Sequence, residues 1–426
     1  MSTLLPVTVG AIIVPATASA GFNPAFAVSR PVATCIQEVA IDADGDAVFA
    51  WQSFDTERSK FRVEARRRSA DGVFGPLHVL SGRSVIGLSH RLAVDAGGNA
   101  LVAWTLRPEA GPDHAQFRAL SASDTLGPIE NLANRLPADF ARLATNGAGE
   151  TVFVWRRRND SQSTSVIEAR ARSAAGVLGP IQRLSFAGQQ TFFPEAALSA
   201  NGEAVFTWMR RFGSQLVVQA RRRSAAGEFA QMHGNLDVGD QPQVAIDRDG
   251  HAIVTWVDLR TPQRVQMRTL SATNALGPRQ LVSQGTGTAS APVQIAMNAA
   301  GDAVFGFRQA DGSGEASAKV RARSSAGVFS PSRTLSEEST AGSLIAAGID
   351  ARGRSLFAWA RVDVTLRVQA RRRRPTGGLG TVETLSPPGN AASPRIAMNA
   401  RGDAVISWCQ QDEAGKIRVF GATFSP

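Results

Sequence analysis

AIDADGDAVFAW, running from Ala40 to Trp51, decides the fold, because seven other stretches repeat its plan. Aligned on the closing aromatic, the counterparts of Trp51 are Trp104, Trp155, Trp208, Trp256, Phe307, Trp359 and Trp408, which uses all 7 tryptophans of the 426-residue chain. Six residues before each anchor stands a glycine: Gly45, Gly98, Gly149, Gly202, Gly250, Gly301, Gly353 and Gly402. Nine before stands Asp, Asn or Ser, and the anchors lie 48 to 53 residues apart. A period near that size, built of strands, marks a repeat array.

Each repeat divides into four short strands. The first precedes the Asp/Asn position (Val39 to Ile41, Val244 to Ile246), and the second ends on the anchor (Ala47 to Trp51). Between them, Asp or Asn opens a tight hairpin through its side chain and Gly supplies the positive φ. The third strand carries a fixed arginine: Arg66, Arg118, Arg170, Arg221, Arg268, Arg321 and Arg371. The fourth ends on Leu-Ser, as at Leu80-Ser81 and Leu184-Ser185. The second strand is apolar or small on both faces (Ala47, Phe49 and Trp51 on one, Val48 and Ala50 on the other), so both faces must be covered. Blades sandwiched between neighbouring blades meet that demand. Eleven residues before the anchor, Ala stands in seven units and Gly348 in the eighth, which suits a crowded strand near a central axis.

The last repeat stops after its third strand, at Pro426, whereas Gly21 to Ser29 (GFNPAFAVS) resembles the fourth strand GVFSPSRTLS of Gly327 to Ser336. The fold class expected is therefore all-β: an eight-bladed β-propeller of four-stranded antiparallel blades, closed by an N-terminal strand in the last blade. Residues 21–426 resemble bacterial exported β-propeller repeat proteins. The motif [DNS]-x-x-G-x-[AST]-h-h-x-W is loosely similar to the Asp-box of sialidase-like propellers, although the Asp-box sets its Trp closer to the Gly. No named enzyme family matches.

Residues 1–20 read as a signal peptide, with Val7 to Val14 as apolar core and Ala18-Ser19-Ala20 as a cleavage site, though the segment lacks Lys and Arg. A secreted or cell-envelope location follows as the expectation. No later stretch is apolar enough to span a bilayer. The net charge of +10 comes almost wholly from arginine, with only Lys60, Lys319 and Lys416 as lysines. Scarce Lys beside abundant Ala, Gly and Arg fits a codon bias, and the arginine runs lie mostly in strands, where neighbours point to opposite faces. No nucleic-acid partner is expected.

The hairpin turns are uniform between repeats, whereas the second-to-third and fourth-to-first connections vary, so the variable rim is where function belongs. At the end of the innermost strand on that rim, thirteen residues before the anchors, stand Glu38, Arg91, Arg142, Glu195, Gln243, Gln294, Ala346 and Arg395. The polar members are the candidate ligand-binding residues. Phe54, Phe192, Phe193 and Phe212 are aromatics of the same rim. The leading function is a non-enzymatic, exported scaffold binding a glycan or protein. The alternative is a polysaccharide-acting hydrolase or lyase using rim carboxylates. Against it, the chain has no tyrosine for a sialidase-type nucleophile, and Glu38 and Glu195 are expected to lie too far apart to cooperate. The five histidines lack ligand spacing and Asp42-x-Asp44-Gly45-Asp46 reads as a turn, so no metal and no cofactor are expected. A monomer is expected. Cys35 and Cys409, the only cysteines, would meet across the ring closure and could form a disulfide.

Overall fold

A computed structural model of the chain describes residues 21–426 apart from 33–34, 86–88, 136, 160, 162, 337–340, 363–364 and 413. The expected signal peptide, residues 1–20, lies outside the described residues. The strands form eight antiparallel sheets, one per repeat. In blade 1 the inner strand is Gln37–Ile41, followed outward by Ala47–Asp55, Lys60–Arg68 and Phe74–Val79. Outer strands shrink to two residues in blades 3, 5 and 6 (Gln182–Arg183, Gln280–Leu281, Arg333–Thr334). Inner strands of successive blades pack side by side, and that of blade 8, Ala391–Met398, packs against that of blade 1. The ring is closed.

Blade 8 takes its outer strand from the other end of the chain. Gly21–Phe22 and Phe26–Ala27 both pair with Ile417–Ser425, with Phe22 opposite Phe424 and Phe26 opposite Gly421. The disulfide Cys35–Cys409 ties the same two blades together.

All eight anchors are buried. Trp208 packs on Val152, Val154 and Ile167 of blade 3, and Trp359 on Val304 and Val320 of blade 6. Trp51 packs on Val405 and Val419 of blade 8, so the closing interface is built like the others. Crowding fixes Gly348, where an added Cβ would stand 3.0 Å from both Ile396 and Met398 of the next blade. In the first hairpin, Asp42 Oδ1 accepts the amides of Asp44, Gly45 and Asp46, each at 2.9 Å, and Gly45 has φ 97°. That oxygen is a turn acceptor.

The repeated arginine joins blades. Arg321 Nε donates to Ser330 O, just before its own outer strand (2.9 Å), while Nη1 donates to Leu281 O (2.8 Å) and Val282 O (3.1 Å) of the preceding blade. Arg118, Arg221 and Arg371 repeat both contacts. The guanidinium of Arg321 also stacks on Phe329, 4.3 Å from the ring centre.

Candidate functional site

The inner strands do not run regularly to the variable rim. In blades 3, 4, 5 and 8 the register with the second strand breaks just before Arg142, Glu195, Gln243 and Arg395. Within each break sits a non-glycine residue in the left-handed region: Phe140 (φ 53°), Phe193 (φ 45°), Gln241 (φ 45°) and Ser393 (φ 56°). A bulge adds a residue, bends the strand and re-aims the side chains that follow. Holding such residues left-handed costs on the order of 1 kcal/mol each, and the cost recurs at one repeat position. Sequence reasoning missed these bulges because Phe, Phe, Gln and Ser share no chemistry at that position.

The result is a cavity of 330 Å³ lined by Glu38, Arg91, Arg142, Glu195, Gln243, Gln294, Ala346 and Arg395 together with Phe193, Gln241, Pro292 and Leu344. One residue from every blade of a closed ring can meet only at the ring axis. All seven candidate side chains are thus brought to one place, at the channel mouth on the variable rim.

The cavity has two unlike sides. Blades 8, 1, 2, 3 and 4 contribute a charged arc. Arg91 Nη1 lies 2.9 Å from Glu38 Oε1 and Arg91 Nη2 lies 3.6 Å from Glu195 Oε1. Arg142 Nε meets Glu195 Oε1 at 3.1 Å, and Arg395 Nε meets Glu38 Oε1 at 3.6 Å. The expectation that Glu38 and Glu195 stand too far apart is therefore corrected: the guanidinium of Arg91 reaches both, because the inner strands of all the blades converge on the axis. Three arginines against two glutamates leave a single positive charge. Blades 5, 6 and 7 contribute a neutral arc of Gln243, Gln294 and Ala346, in which neither glutamine amide has a protein hydrogen-bond partner among the described residues.

Burial opposes the charge on Glu38, but Arg91 and then Arg395 outweigh it and hold the carboxyl below its ordinary range. That direction favours its carboxylate form at neutral pH. For Arg91, burial is outweighed by Glu38 and Glu195, which raise its affinity for the proton. Burial, followed by the charge of Arg91, lowers that of Arg142. The charged arc is an ion-paired frame with one positive charge in excess, and the free amides face it across the cavity.

Around the mouth, Phe193 (36% exposed) lines the cavity and Phe212 (61% exposed) faces solvent. Phe54 is half-buried against Phe61, with ring centres 4.7 Å apart, and Phe192 is half-buried too, so neither is the open rim aromatic that the sequence suggested. A second ionic cluster, not anticipated from the sequence, pins neighbouring rim loops. Asp113 is held by Arg107 through two contacts (2.5 and 2.6 Å) and by Arg158 (2.7 Å), and Asp139 by Arg156 (2.7 Å). Among the described residues no group of three or more His, Cys, Asp or Glu could hold a metal ion, and no helix is long and apolar enough to cross a membrane.

Fold and cavity together define an eight-bladed β-propeller with a polar axial pocket. No protein-family model matches the chain, and no curated protein matches it in sequence. Solved structures do match. The lectin BP39L from Burkholderia pseudomallei is 13% identical with a TM-score of 0.52, over 84% of this chain and 99% of that one. The polysaccharide lyase Uly1 is 9% identical with a TM-score of 0.51, over 94% and 91% of the two chains. An acylaminoacyl peptidase from Pyrococcus horikoshii is 8% identical with a TM-score of 0.50, over 89% and 58%. At such identities the likeness is one of fold.

Proposed function

We propose that this chain is an exported, monomeric propeller that binds a glycan or a protein partner through its variable rim, seating one polar group of the ligand in the axial cavity without turning it over. One observation carries the reading. The cavity sets two unpartnered glutamine amides opposite an ion-paired arc with one positive charge to spare. Amides and exposed aromatic faces are the groups that hydrogen-bond and stack on sugars, and 330 Å³ suits a single small polar unit. A disulfide between blades 1 and 8 supports an oxidising compartment, in keeping with the apolar start of the sequence. The fold is shared with a lectin and a polysaccharide lyase, but the ligand class rests on the cavity.

The closeness of Glu38 and Glu195 to one guanidinium gives the enzyme reading its own observation, since paired carboxylates are what a hydrolase or lyase would use. A glycan array on the full, unreduced chain, run beside a hydrolysis and lyase screen, separates the two. Retention of specific glycans without turnover is the expected outcome. Turnover that disappears in Glu195→Gln would replace the scaffold with an enzyme.

A further inference from the structure

The axial cavity uses three of the arginines that make the chain basic. Four others meet elsewhere, in a groove of 460 Å³ between blades 6 and 7 at their hairpin turns: Arg323 and Arg333 from one blade, Arg352 and Arg373 from the next. A single carboxylate shares the groove, that of Asp302, which accepts from Asn298 Nδ2 (3.4 Å) and from the Ser325 amide (3.0 Å). Without Arg323, which also lines the neighbouring groove, the side chains leave an excess of two positive charges. Among the described residues the guanidinium groups of Arg333, Arg352 and Arg373 have no hydrogen bond or ion pair.

Arg373 stands out within this set. It is only 7% exposed, whereas Arg333 and Arg352 are exposed at the surface. Among the described residues its guanidinium has no protein partner, and it opens onto the groove, where an anion would complete it. Its counterparts in other blades lie close over the turn glycine that follows. An added Cβ on Gly72, Gly176, Gly227 or Gly327 would meet the local guanidinium at 2.8, 2.8, 3.0 or 3.0 Å. The corresponding distance from Gly377 to Arg373 is 3.7 Å, so this guanidinium has drawn back from its turn. Burial, then the charge of Arg333, makes Arg373 release its proton more readily than an ordinary arginine, a direction that a bound anion would reverse. Arg323 also lines the neighbouring groove between blades 5 and 6, beside Asp247 and Asp249, so Arg333, Arg352 and Arg373 are the guanidinium groups that belong to this groove alone.

We propose that the groove between blades 6 and 7 binds a sulfate or phosphate group, gripped by the buried guanidinium of Arg373 and by those of Arg333 and Arg352 at the mouth. Guanidinium forks match the spacing of oxyanion oxygens, and a tetrahedral anion offers enough acceptors for several of them at once. The same chemistry reaches the groove either as the free ion or as an ester carried on a sugar. The site is independent of the axial cavity, which lies at the opposite rim.

Calorimetric titration of the full chain with sodium sulfate, and with a sulfated monosaccharide, against chloride at matched ionic strength tests the site. Arg373→Met and the double variant Arg333→Ala/Arg352→Ala are titrated alongside, the second altering only exposed side chains. Saturable sulfate binding to the wild type, weakened about ten-fold or more in both variants, is expected. Tighter binding of the sulfated sugar than of free sulfate would assign the anion to a glycan, and equal binding would assign it to the ion itself. Wild type that takes up sulfate no better than chloride, or a double variant that binds it as well as the wild type, would overturn the proposal.

Discussion

Single residues divide the labour between holding the fold and forming the site. Trp208 is fully buried, and its indole N–H donates to Gln219 Oε1 at 2.8 Å, so the large ring keeps its one polar atom satisfied. Truncation by Trp208→Ala is expected to cost about 3–5 kcal/mol in chemical denaturation, as core aromatics do. The anchors were legible in the sequence because all of them serve one packing role. Their cross-strand partners were not. Glu64, Glu168 and Gln219 accept the indole proton of Trp51, Trp155 and Trp208, and opposite Phe307, which has no such proton, stands Lys319. At the site, the folded chain holds Glu38 below its ordinary value of 4.5, despite burial, through Arg91 and Arg395. A depressed carboxyl stabilises the native state fully above its unfolded pKa, and that stability is lost as the pH falls through the lower folded value. Glu38→Gln is therefore expected to flatten the fall in melting temperature between pH 5 and pH 3, relative to the wild type. An unchanged acid limb would remove Glu38 from the ionic frame.

At the scale of strands and turns, the blade plan follows from local chemistry. Two-faced apolar second strands demanded neighbours on both sides, and the Asx-Gly turns fixed the hairpins; both could be read directly. The inner-strand bulges could not, because Phe140, Phe193, Gln241 and Ser393 are bent by the geometry of the ring mouth and not by their own preferences. The candidate residues were recognisable from their repeat position, whereas their pairing across the axis was not. The third-strand arginine is the element that joins blade to blade. Arg321→Met leaves the carbonyls of Ser330, Leu281 and Val282 short of a donor and removes the stacking on Phe329. A loss of about 2–3 kcal/mol is expected, the size of hydrogen bonds to a charged group. A change within about 0.5 kcal/mol, the range of ordinary surface substitutions, would show that the arginine is ornamental.

At the scale of the whole molecule, the ring is closed twice: once by the N-terminal strand pieces on Ile417–Ser425, and once by a disulfide spanning a sequence separation of 374 residues. Deleting residues 21–29 uncovers the edge of Ile417–Ser425 and is expected to lower the melting temperature far more than trimming an unpaired end. Reduction of Cys35–Cys409 is expected to cost roughly 2–5 kcal/mol, as for other native cross-links. Non-reducing peptide mapping that recovers two free thiols would remove the clasp while leaving the strand closure intact. Closure brings Arg395 of blade 8 beside Glu38 of blade 1 and completes the axial cavity. The account stands most directly on the neutral arc of that cavity. Calorimetric titration of an array-selected glycan against the wild type and a Gln243→Ala/Gln294→Ala variant of equal melting temperature is the decisive measurement. Affinity weakened about ten-fold or more in the variant is the expected result, since two ligand hydrogen bonds vanish. Equal affinity for both proteins would contradict the axial site.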